Sequence, residues 1–321
     1  MIIFNIIFGP FVKNLPKSLI TSFSRDIGFD KIGFASVEPF VKEKEVFRKW
    51  IAEGRHATMK YLERNIDERF DPLLILEGCK TAVVTAINYY NPDNELFREL
   101  KTGKISRYAW GKDYHKIIKL KLIQLADKIK ELFPESTNLS FVDSGSLPEK
   151  LLAQRAGVGW QGKNSLILTR EFGSWIFLGV ILTTVEFEPD EPHKDLCGDC
   201  TKCLDRCPTS AIIKPGLVDA SLCISYWTIE TKPNVEIPLD IVNNSQSRIY
   251  GCDICQEVCP WNRFAKPTKD DGFQVKDNHT ELSKEFIENL TNEEFKTIFK
   301  DRPVRRIKLK GLKRNVCMIR E

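Results

Sequence analysis

Two nucleotide-binding signatures are missing from this chain of 321 residues: no G-x-G-x-x-G follows its first strand, and no G-x-x-x-x-G-K is followed by Ser or Thr. Dinucleotide and nucleoside-triphosphate sites are therefore unsupported. No run approaches the ~20 apolar residues of a membrane span. The opening stretch Met1–Val12 is apolar, but it holds Asn5 and Pro10 and lacks both a basic n-region and a small-residue cleavage site. It reads as an ordinary N-terminal strand or loop and not as a secretory leader. A twin-arginine leader, low-complexity tracts and coiled-coil heptads are absent too. These gaps predict a monomer in a reduced, cytoplasmic setting with no membrane partner, where disulfides are not the default use of cysteine.

The chain is not a generic polycation, since its net charge is only +4 at 29% charged and 42% apolar residues. That is an ordinary globular composition, long enough for a large domain and a small one. The charge is uneven. Arg302, Arg305, Arg306, Lys308, Lys310, Lys313, Arg314 and Arg320 follow one another with no acid between the first and the last. Such a run is a solvated face or a contact to a phosphate backbone.

What the chain does have is Cys197-x2-Cys200-x2-Cys203-x3-Cys207-Pro208, echoed by Cys252-x2-Cys255-x3-Cys259-Pro260. The first run has the spacing of two-cluster bacterial ferredoxins, whose fourth cysteine serves the other cluster. Two intervening residues let a looped backbone aim successive thiolates at one cubane, and the cysteine three residues on points to the neighbour. By that crossover rule Cys197, Cys200, Cys203 and Cys259 hold one [4Fe-4S] centre. Cys207, Cys252 and Cys255 hold the second, which lacks a ligand because Ile249 stands where a symmetric run would place it. Cys223 is the remaining cysteine between the runs and is assigned there. Zinc would take four thiolates from two CxxC pairs but gives no reason for a CxxCxxCxxxCP run. Cys79 and Cys317 are left as a buried hydrophobe or a free surface thiol.

Periodicity predicts helices over 15–27, 40–53 and 113–133, the last with Ile118, Leu122, Leu125, Ile129 and Leu132 on one stripe. Strands are expected at Lys31–Ser36, at Ala82–Asn88, which is apolar on both faces, and at Leu139–Val142. Ser146 and Glu149 spell a capping box with Pro148 in the first turn of a helix through Ala156. After the glycine-rich turn 157–164, a hairpin is expected from Ser165–Thr169 and Ser174–Val185. The fold class is mixed α/β, of the α+β kind. Residues 1–190 form the larger domain, 191–265 the ferredoxin-like domain, and 266–321 a charged helical C-terminal segment.

The cysteine pattern follows Val142-Asp-Ser-Gly145 and Ala156-Gly-Val-Gly-Trp-Gln-Gly-Lys-Asn164, with Arg107-Tyr-Ala-Trp-Gly-Lys-Asp-Tyr-His115 upstream. Together these resemble the epoxyqueuosine reductases, cobalamin-dependent iron–sulfur enzymes of tRNA modification, from about residue 15 to 315. Longer members carry a helical-repeat extension after the segment corresponding to Gly311–Asn315. The resemblance implies a nitroreductase-like domain holding cobalamin against two [4Fe-4S] clusters. The implied reaction is reductive removal of the epoxide oxygen from the modified wobble base of tRNA, fed by an external electron donor. Clusters deliver single electrons while deoxygenation needs two and a proton, so the corrinoid carries the hard step.

Within that resemblance Asp143, otherwise a turn-forming residue, becomes the proton donor, expected in a buried setting or beside a negative group. Arg69, Ser106, Asp143 and Ser225 match corrinoid-contacting positions, with Lys163, Asn164 and the backbone of Ile167 as further candidates. His115 stays unassigned: family members bind the corrinoid without a protein histidine. Lys232, Arg305, Arg306, Lys310 and Arg314 are the candidates for the tRNA anticodon stem-loop. The competing functions are a corrinoid reductase of a small molecule and a non-enzymatic electron carrier.

Overall fold

The computed structural model describes residues 15–92, 102–275, 277 and 279–320; the segment Met1–Val12 lies outside the described residues. The first half runs α1 (Leu15–Ile27), β1 (Lys31–Ala35), α2 (Val41–Ala52), α3 (Ile66–Phe70), β2 (Thr81–Asn88), β3 (Thr102–Ile105), α4 (Tyr114–Leu132), β4 (Asn138–Phe141), α5 (Glu149–Arg155), β5 (Trp160–Gln161), β6 (Ile167–Leu168) and β7 (Ile176–Thr183). A four-stranded sheet of order β1-β2-β7-β4 forms its centre, with every neighbouring pair antiparallel.

β2 is buried at all eight positions, as a strand apolar on both faces must be. On one face Val83, Ile87 and Ile181 pack against Ile118, Leu122, Leu125 and Ile129 of α4 and Ile20 of α1. Those four α4 residues are wholly buried, while Leu132, the end of the predicted stripe, is 38% exposed where the helix runs out. On the other face Val84, Ala86, Val180 and Leu182 meet Leu152 and Ala153 of α5. Gly33 permits that closeness, because a Cβ there would lie 2.0 Å from the Ala156 carbonyl oxygen.

Two local expectations give way to tertiary packing. The hairpin between 165–169 and 174–185 shrinks to a single bridge, Thr169 to Gly173. β6 pairs with β5 instead, and β7 enters the sheet between β2 and β4. Eight register pairs with β2 bury β7 on both sides, which a short hairpin partner cannot do. The capping box is also absent. α5 starts from Pro148 with no side-chain cap, and Glu149 Oε1 accepts a hydrogen bond from the Asp143 backbone N–H (2.7 Å). Positive φ at Asp143 (46°) and Gly145 (86°) turns that N–H toward Glu149.

The second half contains α6 (Lys202–Asp205), β8 (Ile212–Lys214), β9 (Leu217–Val218), a π-helical turn at Tyr226–Glu230, α7 (Leu239–Asn243), β10 (Arg248–Tyr250), α8 (Ile254–Glu257), β11 (Glu281–Ser283), α9 (Lys284–Asn289), α10 (Asn292–Ile298) and α11 (Lys308–Arg314). β3 leaves the first half to become the middle of the sheet β10-β3-β11. Ile105, Ala109 and Trp110 therefore share one core with Ile249, Tyr250, Phe295, Phe299 and Leu312. The segment 102–110 thus ties the early chain to the last helices.

Candidate functional site

Two short helices, α6 and α8, pack together and carry Cys203 and Cys255. Tight turns set the cysteines before and after them: the Cys200 N–H reaches the Cys197 carbonyl (3.1 Å), and that of Cys259 reaches Gln256 (3.0 Å). The fold then gathers the thiols into two groups. Burial, with Cys259 and Cys197 as neighbours, pushes Cys203 up to about 11. Cys259 is raised by burial and by Cys197 and Cys200. In the other group burial lifts Cys252 to about 12 with Cys223 beside it, raises Cys223 with Cys207 beside it, and holds Cys255 well above the usual thiol range against Cys252 and Cys223. Cys255 also feels Cys203, so the groups adjoin.

Crowded, desolvated thiols resist ionisation on their own, and iron supplies the positive charge that lets them bind as thiolates. Among the described residues no three Cys, His, Asp or Glu groups converge as one ion requires. Instead Cys197, Cys200, Cys203 and Cys259 line a cavity of about 380 Å³, with Lys163, Lys202 and Arg263 also on its wall. Lys163 Nζ is held there by the Gly198 carbonyl (2.6 Å). Cys79 is buried and packs in the sheet core, and Cys317 is exposed.

Beyond β4, Asp143 is not the enclosed carboxyl the sequence suggested: its side chain is 69% exposed. A negative neighbour is present. Burial first, and Asp143 second, raise Glu149 to about 8, while the hydrogen bond from the Asp143 N–H works in the opposite direction. Tyr114 donates its hydroxyl proton to Asp143 Oδ2. Its ring lies flat on Phe177 (4.3 Å, 8°) and on His115 (4.1 Å, 28°). Burial and the Asp143 carboxylate push the phenol pKa far up, so Tyr114 acts as a fixed donor. His115 Nε2 stands 3.9 Å from the same carboxylate oxygen.

Lys150 is open to solvent yet enclosed by protein on most sides, and that desolvation lowers its pKa; its ammonium feels Asp143, Glu149 and Cys255. It donates to the Ser165 carbonyl (3.0 Å). Arg306 pairs with Glu230 (2.8 Å), and both Glu230 and Tyr61 feel the Asp143 charge. Proton-bearing and charged groups thus face the side on which Cys255 lies. Tyr61, Tyr114, Lys150 and Glu230 come from four separate segments, and only Tyr114 sat in a motif that the sequence offered.

The other predicted residues have surroundings of their own. Arg69 lies over Phe47 (5.8 Å) with its Nε buried and unpartnered. Ser106 is 1% exposed and its Oγ has no partner; a Cβ on Gly251 would come within 2.3 Å of it. Ser225 hydrogen-bonds the Cys223 thiol from the start of the π-helical turn. Asn164 is buried and accepts from the Leu166 N–H (3.3 Å), a loop-forming role. Ile167 packs its side chain in the core.

The basic run divides in two. Arg314, expected at phosphates, donates to the carbonyls of Trp227, Thr231, Lys232 and Val235, and is a clamp on the 227–235 segment. Lys313 binds the Glu288 carbonyl, Arg320 that of Asn243, and Arg302 pairs with Asp277. Arg305, Lys308, Lys310 and Lys232 stay exposed.

A family model described as "Epoxyqueuosine reductase QueG, DUF1730" matches residues 69–144, and one described as "4Fe-4S double cluster binding domain" matches residues 196–262. The epoxyqueuosine reductase of Cyclobacterium marinum is 40% identical over 295 residues, covering 92% of this chain and 93% of that protein. A crystal structure of epoxyqueuosine reductase with a tRNA-Tyr epoxyqueuosine-modified stem loop aligns with TM-score 0.88 at 33% identity, covering 94% of this chain and 79% of that one. The Bacillus subtilis enzyme, solved with its aspartate-bearing catalytic loop swung out of the active site, aligns with TM-score 0.86 at 32% identity over 94% of this chain and 79% of that one.

Proposed function

The chain belongs to the epoxyqueuosine reductase family, and we propose that it reduces epoxyqueuosine to queuosine in tRNA, with electrons entering through iron–sulfur clusters. The observation that carries this reading is the meeting of the Cys207/Cys223/Cys252/Cys255 group with Asp143 and Lys150 on one side of the fold. An electron store and a proton store then face the same opening.

In this reading Cys197, Cys200, Cys203 and Cys259 hold one [4Fe-4S] cluster, and Cys207, Cys223, Cys252 and Cys255 the other. Cobalamin is the cofactor between clusters and substrate. In support, Ser106 Oγ and Arg69 Nε are buried without partners, as groups awaiting a large polar ligand would be. Arg69, Ser106 and Ser225 would hold it, with Lys163, Asn164 and Ile167 on the glycine-turn side. When bound, a corrinoid supplies a cobalt centre able to pass two electrons to carbon. The protein's own part is to aim Asp143 at the epoxide oxygen. Tyr114 fixes that carboxyl from one side, and Glu149 fixes the loop through the Asp143 N–H. In support, the aspartate-bearing catalytic loop of the B. subtilis relative is swung out of its active site, and Asp143 here is exposed on a positive-φ turn.

Arg305, Lys310 and Lys232 would meet phosphates, with Arg306 nearer the opening. The base itself must be splayed from its stack to reach the pocket. We take the working form to be a cytoplasmic monomer served by an external electron donor.

The test is anaerobic. Cluster-loaded protein, cobalamin and a strong reductant are mixed with epoxyqueuosine-containing tRNA, and the digested nucleosides are weighed. Loss of one oxygen in the wild type, and its near-absence in Asp143→Asn with iron and corrinoid retained, is the expected result. No conversion by fully loaded wild-type protein would overturn the proposal.

A further inference from the structure

Deoxygenation has a proton balance that one carboxyl does not meet. Converting the epoxide to an alkene breaks two C–O bonds, takes up two electrons from the reductant, and releases the oxygen as water only after two protons have reached it. Asp143 carries one proton. The second must arrive while substrate covers the site, through a group already in contact with Asp143.

We propose that His115, oriented by Asp113, is the relay that recharges Asp143 within a turnover; this rests on the reading of Asp143 as proton donor. Asp113 caps α4 by accepting the His115 backbone N–H (3.0 Å), and the same Oδ1 lies 2.8 Å from His115 Nδ1. That pairing places the Nδ1 proton on the Asp113 side and turns Nε2 outward. Nε2 then faces Asp143 Oδ2 at 3.9 Å, a gap that one water or a small side-chain rotation closes. Tyr114, stacked between Phe177 and His115, keeps the imidazole from turning away.

The transfer balances. After Asp143 protonates the epoxide oxygen, the imidazolium of His115 gives its Nε2 proton to the Asp143 carboxylate and becomes neutral, its Nδ1 proton still on Asp113. Asp143 then delivers this second proton to the departing oxygen. His115, with 43% of its side chain exposed, then takes up two protons from solvent in succession, passing the first to Asp143, which resets both groups.

Neighbouring groups fit the relay less well. Tyr114 donates to the same oxygen, but its phenol holds its proton too tightly to give it up. Glu149 contacts the Asp143 backbone and not its carboxylate. The charged groups around His115 are Asp113 on its own helix start, Asp143 and Glu149 from the 143–149 loop and helix, and Lys116 with Asp301, whose carbonyl accepts the Asp113 N–H, together with Arg305 near that pair.

The experiment compares wild type, His115→Gln and His115→Ala in single turnover with pre-reduced, loaded enzyme across pH 6–9. Glutamine keeps a hydrogen bond to Asp113 but cannot carry the proton. The relay predicts a rate at least about 100-fold lower in His115→Gln, an altered alkaline limb of the pH profile, unchanged iron content and tRNA affinity, and partial rescue of His115→Ala by added imidazole. A His115→Gln rate and pH profile equal to wild type would overturn the relay, as would a loss traced wholly to tRNA affinity or iron content with no imidazole rescue. Asp143→Asn separates the two layers. Full activity in Asp143→Asn removes the reading beneath the relay, whereas an inactive Asp143→Asn beside a normal His115→Gln removes the relay alone.

Discussion

Glu149 gives this protein a pH-dependent stability whose sign follows from the structure. Burial and the nearby Asp143 raise its pKa from 4.5 to about 8. The folded chain therefore keeps a proton that the unfolded chain releases above about pH 4.5, so this contribution is full below about pH 4.5, falls as pH rises from there, and is lost above about 8. At 1.36 kcal/mol per pH unit the span from 4.5 to about 8 has a ceiling of about 5 kcal/mol. Glu149 is partly exposed and shares its shift with Asp143, and about 2 kcal/mol is the working figure after that discount. Glu149→Gln is neutral at every pH, and its amide oxygen can still accept the Asp143 N–H. The variant should match wild type at about pH 4.5 and below, draw ahead steadily above it, and exceed it by about 2 kcal/mol at pH 9, roughly 3–5 °C in melting temperature for a chain of this size. Thermal unfolding of anaerobic, cluster-loaded protein at half-unit steps from pH 4.5 to 9 measures both curves. Parallel curves would show that Glu149 is ionised in the fold at neutral pH and would refute the reasoning.

Cys223→Ala should halve bound iron, removing about four atoms per chain, while Cys317→Ser leaves it unchanged; iron analysis after anaerobic reconstitution reads both. Arg314→Ala strips a charged donor from four carbonyls and should cost about 2–4 kcal/mol of stability. Arg314→Lys should recover only part of that, because an ammonium lacks the planar fork that spans them. Arg305→Glu combined with Lys310→Glu should weaken tRNA binding and flatten its salt dependence by about two phosphate contacts, with melting temperature unchanged; a salt titration of affinity decides.

The cysteine spacing was legible because a two-residue interval limits where consecutive thiols can point, and that limit holds whatever surrounds the loop. In the fold Cys203 and Cys259 have Cys197 beside them, and Cys252 and Cys255 have Cys223, while Cys255 also feels Cys203. The buried stripe of α4 and the doubly covered β2 were legible for a related reason: burying a face demands a period, and a period is written along the chain.

What periodicity does not encode is which segments meet. β7 left its hairpin partner because a longer strand elsewhere could bury it on both faces. Glu149 left its capping box because a positive-φ turn presented the Asp143 N–H instead. Arg314 belongs to a basic run by sequence and to a carbonyl cage by structure. Asp143, Tyr114, His115 and Lys150 become neighbours only when α4, the loop after β4 and the start of α5 close on one corner. The sequence alone therefore determined the cysteine spacing and the core-forming periods, since short-range geometry and burial suffice for both. Only the tertiary structure decided which charged and hydrogen-bonding groups meet, because hydrogen bonds and charge interactions between distant segments exist only after those segments have packed.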